Sequence, residues 1–471
     1  MTAILGGGIS GLSAAYYALE NPKIGPLVIY EASNRIGGWI RSIKLSDGTV
    51  FEKGPRTIRQ HGPAGKNTLR LIEQLGLTEN VIPIRMSDPA AKNRLIFAHN
   101  KLHLLPNSIS GMFKKNTLLN RSLISLMWND LKAPKIVNDD ESTYSFIERR
   151  LGQDTADNLI NPMLCGICAG DGHKISVNFL FKSLFEAEQK HGSIVKGLLA
   201  GTFSKSKNTS KTSTEMPSRL EEMAKKNVWA LWGMRGGLET LPLTLANNIR
   251  KNGVEINTEH KCEKLKFNGD HVELTVNGKV EKYSRVISSL QAKHLGNLVE
   301  EQHPELSKEL KEIPSVTVAV VNLQFSENVL SQNAFGFLVR PKEEIPILGV
   351  IFDSCIFHQN STVLTVMMGG AWFEKYFGKC STDEHLVTVA VNQVRDILNI
   401  KEDPVSFDVS VLKDCIPQYV VGHTKRVKRI RDYISTHRIP LALCGSSYEG
   451  VGVNDVILSA KEAASDISSY L

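Results

Sequence analysis

The chain has 471 residues, 42% of them hydrophobic and 22% charged, which exceeds one ordinary domain and describes a globular protein of two or three domains with a sizeable core. No run of about 18 uncharged apolar residues occurs, so no transmembrane helix is expected. No cleavable signal is expected either, because a glycine loop already begins at Gly6.

The formal net charge of +7 is local. Between Lys92 and Lys135 the Lys and Arg residues number eight (92, 94, 101, 114, 115, 121, 132 and 135) against Asp130 alone, so the remainder sums to zero. That describes a patch with a task, not a generally basic protein. The seven cysteines, at 165, 168, 262, 355, 380, 415 and 444, are odd in number and scattered, which favours reduced thiols. Cys165-x-x-Cys168 has the spacing of a redox or metal pair, but no second pair or histidine cluster accompanies it. Two helix-packed thiols are the plainer reading, and no metal site is expected.

In chain order, TAIL (2–5) reads as a short buried strand running into GGGISG, where Gly6, Gly8 and Gly11 fit G-x-G-x-x-G. Leu12, Ala15, Tyr16 and Leu19 then recur at helical spacing, and PLVIYE (26–31) is the next strand, closing a β-α-β unit. Glu31 falls at the end of that strand, where a carboxylate receives the hydroxyls of an adenosine ribose. The first glycine allows the turn, the second lets backbone approach a pyrophosphate, and the third lets helix pack on strand. The helix N-terminus then faces the phosphates.

A stretch from about 90 to 200 reads as mainly helical, with Ser142 or Thr143 capping a helix YSFIERRL that stops at Gly152. Residues 201–226 open on a Lys/Ser/Thr run read as a mobile loop. Beyond 229 come a Gly236-Gly237 turn, a helix to about Lys251 stopped by Gly253, and a strand from Val254. HVELTVNG (271–278), SRVISSL (284–290), SVTVAVVNLQF (315–325) and STVLTVMMGGAW (361–372) are strand-like. LALCGSSYEGVGVNDVILSA (441–460) returns to strand, glycine loop and helix.

Two features favour FAD over NAD. Glu31 is followed by ASNRIGGWIRS, a second glycine turn with a basic residue, which extends the cradle beyond the needs of an NAD loop. The turn with Gly445, Gly450 and Gly452 offers a second helix N-terminus, suited to a reduced flavin with negative charge at its N1/C2=O edge.

These termini, with GGWIRS (37–42), FEKGPRTIR (51–59), DPAAKNR (88–94), VAVVNLQF (318–325), CIPQY (415–419) and SSYEGVGVND (446–455), resemble the flavin amine oxidase superfamily and, within it, the animal-type, oxygen-dependent protoporphyrinogen oxidases. The pieces run in family order along essentially the whole chain. The resemblance implies a fold of α/β class, as an α+β multidomain chain. It has an FAD-binding Rossmann-like domain of discontinuous segments, a β-sheet substrate domain and a helical membrane-binding domain. The expected division is 1–90 (FAD-binding, first part), 91–200 (helical, membrane-associating), 201–228 (flexible loop), 229–292 (FAD-binding, second part), 293–412 (substrate-binding) and 413–471 (FAD-binding, third part).

The implied reaction is oxidation of protoporphyrinogen IX to protoporphyrin IX in haem synthesis, by hydride transfer to flavin N5 and reoxidation by molecular oxygen with release of hydrogen peroxide. By resemblance, FAD is held non-covalently by Gly6, Gly7, Gly8, Ile9, Ser10 and Gly11 at the pyrophosphate. Glu31 and Ala32 serve the ribose side, with Trp39, while Gly54, Pro55, Arg56 and Thr57 and then Ser446, Val451, Gly452 and Val453 serve the flavin end. Cys262 stands where the family usually has valine and where backbone meets the adenine. Arg56 is open to a flavin-bracing, interface or substrate role.

For the substrate, the resemblance implies Arg94 on a propionate, Phe335 and Leu338 against the macrocycle, Met367 facing it, and Gly170 close to substrate or flavin. A solvated surface arginine is the alternative for Arg94, and plain core positions for Phe335, Leu338 and Met367. No catalytic acid or base is assigned. The basic stretch 102–132, rich in Leu, Ile, Met, Phe and Trp, is read as a peripheral membrane surface, by resemblance on the mitochondrial inner membrane. No nucleic-acid partner is expected, since no aromatic platform accompanies the lysines. Oligomeric state is left open, a homodimer included. Amine oxidases and carotenoid-type desaturases share the glycine ends but lack GPRTIR, CIPQY and the AAKNR arginine. Rab GDP-dissociation inhibitors share the architecture without using FAD.

Overall fold

The computed structural model describes residues 1–105, 118, 122–201, 216–357, 359, 361–379 and 381–467. The chain divides into two compact units, one of Met1–Arg85, Pro217–Pro314 and Lys425–Leu471, the other of Met86–Met216 and Ser315–Thr424.

The first unit is built on a five-stranded parallel sheet in the order Leu441–Leu443, Arg285–Ser288, Thr2–Leu5, Leu27–Tyr30, Glu255–Asn257. Its inner strands are short apolar runs because both faces are covered, as parallel sheets require. Alternation sorts their side chains. Ile4, Ile29, Ile287 and Ala442 pack with residues of helices Ile9–Ala18, Thr240–Lys251 and Val453–Ile467. Ala3, Leu5, Val28, Tyr30, Val286 and Leu441 pack on the opposite face. There they meet the antiparallel strands Cys262–Phe267, Val272–Val276 and Lys279–Tyr283 and the helices Ala292–Val299 and Pro304–Lys311.

The second unit carries a seven-stranded sheet in the order Ser406–Pro417, Ser315–Phe325, Thr362–Gly370, Ile347–Phe352, Gly336–Val339, Leu95–Ala98, Lys101–Leu104. All neighbours are antiparallel except Gly336–Val339 with Leu95–Ala98. Period-two patterning decides its faces. Ala319, Val321, Leu323 and Phe325 pack with Leu386, Ala390 and Val394, one stripe of helix Asp383–Leu398. Val318 and Val320 face the other way, into a cluster with Cys165 and Ala169 at the helix Asn161–Cys168.

The helices Leu123–Lys132, Thr143–Leu151, Lys182–His191 and Ile194–Leu199 are knit by charges withdrawn from water. Arg150 Nε donates to Asp130 Oδ1 at 2.7 Å and its Nη1 to the Ala133 carbonyl at 2.9 Å, both side chains being fully buried. Asp130 Oδ2 also accepts from the Val195 N–H at 2.9 Å, and the buried Glu188 receives Arg149 Nη1 at 2.5 Å.

Of the two capping residues left open by the sequence, Ser142 is the N-cap, its Oγ accepting from the Ser145 N–H at 3.1 Å, and Gly152 ends the helix. The expected strands at 315–325 and 361–372 are found as Ser315–Phe325 and Thr362–Gly370. Several expected boundaries move. The stretch 91–200, read as helical, opens with the strands Leu95–Ala98 and Lys101–Leu104, because cross-strand partners at Phe337–Val339 complete a sheet invisible to local pattern. Within 201–228, residues Arg219–Lys226 are helical, started by a capping box between Ser218 and Glu221 and anchored by buried Leu220 and Ala224. The unit boundary falls at Pro314, not at 292, since Leu295, Val299, Leu306 and Leu310 join the core of the first unit, and the last crossing falls after Thr424, not 412. Residues 202–215 of the expected loop, and Lys114, Lys115 and Arg121 of the basic patch, lie outside the described residues.

Candidate functional site

In the first unit the candidate cofactor residues converge from five places in the chain. Gly6 turns the strand Thr2–Leu5 into the helix Ile9–Ala18 with φ of +101°, a conformation that disfavours a side chain. A Cβ on Gly11 would lie 1.9 Å from the Gly6 carbonyl oxygen, so the helix packs on the loop only through glycine. The helix begins at Ile9 behind Gly8 with no side-chain cap and no acidic residue in its first turn. Its N-terminal N–H groups and dipole therefore suit an anion. Ile9 and Ser10 are buried beneath this turn.

Glu31 closes the turn. Its Oε2 accepts from the Gly7 N–H at 2.7 Å and its Oε1 from the Ser33 N–H at 2.8 Å and the Ser33 hydroxyl at 2.7 Å. Such charge-assisted bonds, worth roughly 1.5–3 kcal/mol each, hold the carboxylate at the strand end. Ala32, which follows Glu31, and Trp39 are exposed. Gly8 bridges Gly37, and the Gly37 N–H donates to the Gly7 carbonyl at 2.9 Å, so the two glycine turns lie edge to edge.

Gly54 meets the same turn, since an added Cβ would lie 2.2 Å from the Trp39 carbonyl. Arg56 is buried and its Nη2 donates to the Gly54 carbonyl at 3.3 Å, bracing the loop that carries Pro55 and Thr57. In the C-terminal segment, Asn454 Nδ2 donates to the Arg59 carbonyl at 2.6 Å, which ties the start of the helix Val453–Ile467 to the chain that follows Gly54–Thr57. Ser446 follows Gly445, whose Cβ would lie 3.5 Å from Ser10 Oγ. Cys262 begins the strand reached from the Glu31 end, where the His260 N–H donates to the Glu31 carbonyl at 2.8 Å. Burial pushes its thiol up to about 12, so it is a neutral spacer.

In the second unit Arg94 lies 5.1 Å from the Phe335 ring centroid, an exposed cation on a half-buried aromatic face. The Phe335 N–H donates to the Asn93 carbonyl at 3.1 Å, which fixes that pair. Leu338 and Met367 are both paired in register with Gly349, so they share one sheet face on either side of a residue without a side chain. Both are half-buried. A Cβ on Gly166 would lie 2.6 Å from Leu338 Cδ2, placing the helix Asn161–Cys168 against that leucine. Gly170 is sterically tight within its own unit: a Cβ there would lie 2.4 Å from Gln418 Oε1 and 3.0 Å from Cys168 Sγ. Gln418 Nε2 in turn donates to the Cys168 carbonyl at 2.8 Å.

Cys165 and Cys168 are buried on that helix, and burial raises both thiols, Cys168 to about 12. Cys168 donates to the Leu164 carbonyl at 3.3 Å, the geometry of a packed thiol and not of a thiolate. Three contributors were not among the candidate residues, although Gln418 falls within the CIPQY motif. Ser289 donates to the Leu5 carbonyl at 2.8 Å and backs the Gly6 turn, Gln418 walls Gly170, and Glu239 holds Arg35. The motif could have pointed to Gln418; only a long-range contact would have found Ser289 and Glu239.

Parallel sheet, glycine-built dinucleotide loop, second glycine turn and returning C-terminal helix together define a flavin oxidoreductase. The model of the family described as flavin containing amine oxidoreductase matches residues 9–468, and the chain belongs to that family. Within it the chain belongs with the protoporphyrinogen oxidases. It is 36% identical to the Bos taurus protein of that name over 98% of this chain and 97% of the relative. It is 36% identical to the Homo sapiens protein at the same coverage, and 30% identical to that of Schizosaccharomyces pombe over 100% of this chain and 99% of the relative.

The fold is shared with a solved structure from Exiguobacterium sp. 255-15, at a TM-score of 0.80 and 23% identity, covering 100% of this chain and 99% of that one. It is also shared with cyclohexylamine oxidase from Brevibacterium oxydans, at a TM-score of 0.67 and 13% identity, covering 99% of this chain and 98% of that one. The chain is an enzyme, an oxidoreductase with a flavin cofactor.

Proposed function

We propose that this enzyme oxidises protoporphyrinogen IX to protoporphyrin IX with non-covalently held FAD and molecular oxygen, releasing hydrogen peroxide. The observation that carries the substrate is the 36% identity, along nearly the whole chain, to relatives named protoporphyrinogen oxidase. FAD is supported by the site itself: the uncapped helix start at Ile9, the edge-to-edge glycine turns and the carboxylate at Glu31 suit an adenosine diphosphate. When bound, FAD supplies the hydride acceptor and passes the electrons to dioxygen.

The chain's own residues do the rest. The loop Gly6–Gly11 receives the diphosphate at the uncapped start of the helix Ile9–Ala18, Glu31 and Ala32 receive the ribose, with Trp39, and the segment Gly54–Thr57 with Ser446 and Val451–Val453 the isoalloxazine end. Arg94 pairs with a substrate propionate while Phe335, Leu338 and Met367 supply flat and aliphatic contacts for the macrocycle. Gly170 keeps a side chain from intruding. No side chain is assigned as general acid or base.

A peripheral seat on a membrane, the mitochondrial inner membrane by family, is supported by the helix Leu123–Lys132. Ile124, Met127, Trp128 and Leu131 recur at helical spacing and are exposed, Trp128 by 57%, while Leu126 and Asp130 on the other face are buried. Lys132 lies 4.9 Å from the Trp128 ring, a cation at the edge of an apolar stripe. Among the described residues no helix is long and apolar enough to cross a membrane.

Aerobic turnover tests the reading. Purified protein with FAD is expected to convert protoporphyrinogen IX to the fluorescent porphyrin with peroxide release. Coproporphyrinogen III belongs in the same assay, because the Bacillus subtilis relative at 27% identity is named coproporphyrinogen III oxidase. Oxidation of amines with none of either tetrapyrrole would overturn it.

A further inference from the structure

The segment MRGGLET (234–240) lies outside the cofactor residues named above, yet it is fastened to the second glycine turn. Gly237 has φ of +100° and an added Cβ would lie 2.3 Å from Ser42 Oγ, so this turn is pressed onto the strand Ser42–Lys44. The N–H groups leading into the helix Thr240–Lys251 are then capped from another part of the chain. The Leu238 N–H donates to Glu52 Oε1 at 2.7 Å and the Glu239 N–H to Ser42 Oγ at 3.1 Å.

The exchange is reciprocal. The Ser42 N–H donates to Glu239 Oε2 at 3.0 Å and its hydroxyl to Glu52 Oε2 at 2.7 Å. An N-cap side chain ordinarily accepts from its own helix, but Glu239 makes no such bond. Its Oε1 instead takes Arg35 Nη2 at 3.0 Å. The same guanidinium donates to the Gly38 carbonyl at 2.7 Å and the Ile40 carbonyl at 2.8 Å. Those carbonyls flank the turn that lies against Gly8, and their oxygens carry the partial negative charge that would oppose a diphosphate.

We propose that Arg35 and Glu239 are positioning residues for the flavin nucleotide. Glu239 orients the guanidinium, and the guanidinium holds the Gly38 and Ile40 carbonyls, neutralises them, and keeps the Gly37-Gly38 turn in register with the first loop. Binding energy for the cofactor thus depends on a carboxylate some 200 residues from the nucleotide motif. The proposal rests on the assignment of residues 6–11 and 37–39 to FAD.

The test is FAD affinity of apoprotein prepared from wild type, Glu239→Gln, Arg35→Met and the double variant, with the Tm of each apoprotein measured alongside. Glu239→Gln keeps the shape and an acceptor for Ser42 but removes the charge facing Arg35. Each single variant is expected to weaken FAD about tenfold or more, the scale of one lost charge-assisted hydrogen bond. The double variant is expected to be no weaker than the worse single. Saturating FAD restores kcat with KM for the tetrapyrrole unchanged.

Wild-type FAD affinity in both single variants, or losses that simply add in the double variant, would overturn the proposal. So would a fall in apoprotein Tm large enough to account for the flavin loss. A wild-type protein that binds no FAD would instead overturn the cofactor assignment itself, which separates the two failures.

Discussion

The candidate cofactor cradle of the first unit and the candidate substrate face of the second are built from opposite materials. The cradle is defined by missing side chains: Gly11, Gly54 and Gly37 each stand where a Cβ would strike or closely crowd a backbone carbonyl, and the loops they form can be built in few other ways. The candidate substrate face is defined by ordinary aliphatic residues on two strands that flank a third, Leu338 and Met367 across Gly349, which take their meaning from register alone. One region is expected to be intolerant of a single carbon; the other is expected to accept volume-conserving exchange and to respond, if at all, in substrate handling. The difference predicts a hierarchy of mutational effects.

The largest effect belongs to Gly11→Ala. The added carbon would stand 1.9 Å from the Gly6 carbonyl oxygen, a backbone atom that no rotamer change can move. Loss of bound flavin is expected, with destabilisation of about 3 kcal/mol or more, read from flavin absorbance after purification and from thermal unfolding. Near-normal flavin content would break the contrast between the two regions.

Next comes the helical part of the second unit, where charge and not glycine is the rigid component. Asp130→Ala leaves the buried Arg150 with only the longer carboxylate contact, to Glu188 Oε1 at 3.6 Å, and removes the acceptor of the Val195 N–H. Breaking one side of a buried pair costs about 3–5 kcal/mol, measurable by urea unfolding. Glu188 gives this region a pH dependence. Burial alone would raise its pKa, but hydrogen bonds and charge from Arg149 outweigh that and hold it below the usual carboxylate range.

A depressed carboxylate means the unfolded chain binds the proton more tightly. The stabilisation is therefore present above the ordinary glutamate value of 4.5 and is lost as pH falls through the folded value. Tm should drop most steeply below pH 4.5, and Glu188→Gln should flatten that limb. A slope unchanged in the variant would remove Glu188 from the account.

These two regions were unequally legible in the sequence. Gly6, Gly8, Gly11 and Glu31 follow one another within a β-α-β unit, so spacing alone indicated their contact; the Gly7 to Glu31 hydrogen bond joins residues one helix and one strand apart. The pairing of Leu95–Ala98 with Gly336–Val339 spans some 240 residues, and the local pattern of a four-residue apolar strand does not differ from that of a helix segment. Arg35 and Glu239 illustrate the same limit inside the cradle, since a basic residue after the strand was visible but its partner was not. Arg94 was indicated by family motif, and the structure adds its aromatic platform, Phe335.

A smaller effect tests that platform. Arg94→Ala removes an exposed guanidinium, so stability and flavin content should hardly change, while KM for a dicarboxylic tetrapyrrole should rise about tenfold, the order of one charge-assisted contact. A variant with Lys at 94 should recover part of the loss, because a point charge replaces a fork. Unchanged KM with Ala would return Arg94 to the solvated surface and leave Phe335 as a bare aromatic at the start of the strand Gly336–Val339.

The smallest effect sharpens the comparison from within the cradle. Cys262 starts the strand Cys262–Phe267, and its thiol, pushed up to about 12 by burial, donates weakly to the Lys264 carbonyl at 3.4 Å. If the cradle works through main-chain atoms, what matters at 262 is the backbone, and β-branched valine suits that strand at least as well. Cys262→Val should shift stability by no more than about 0.5 kcal/mol and leave FAD affinity within twofold, checked by titrating apoprotein with FAD. A tenfold loss would mean that the side chain itself touches the nucleotide. The rule separating the two regions, backbone in one and side chain in the other, would then fail at its adenine end.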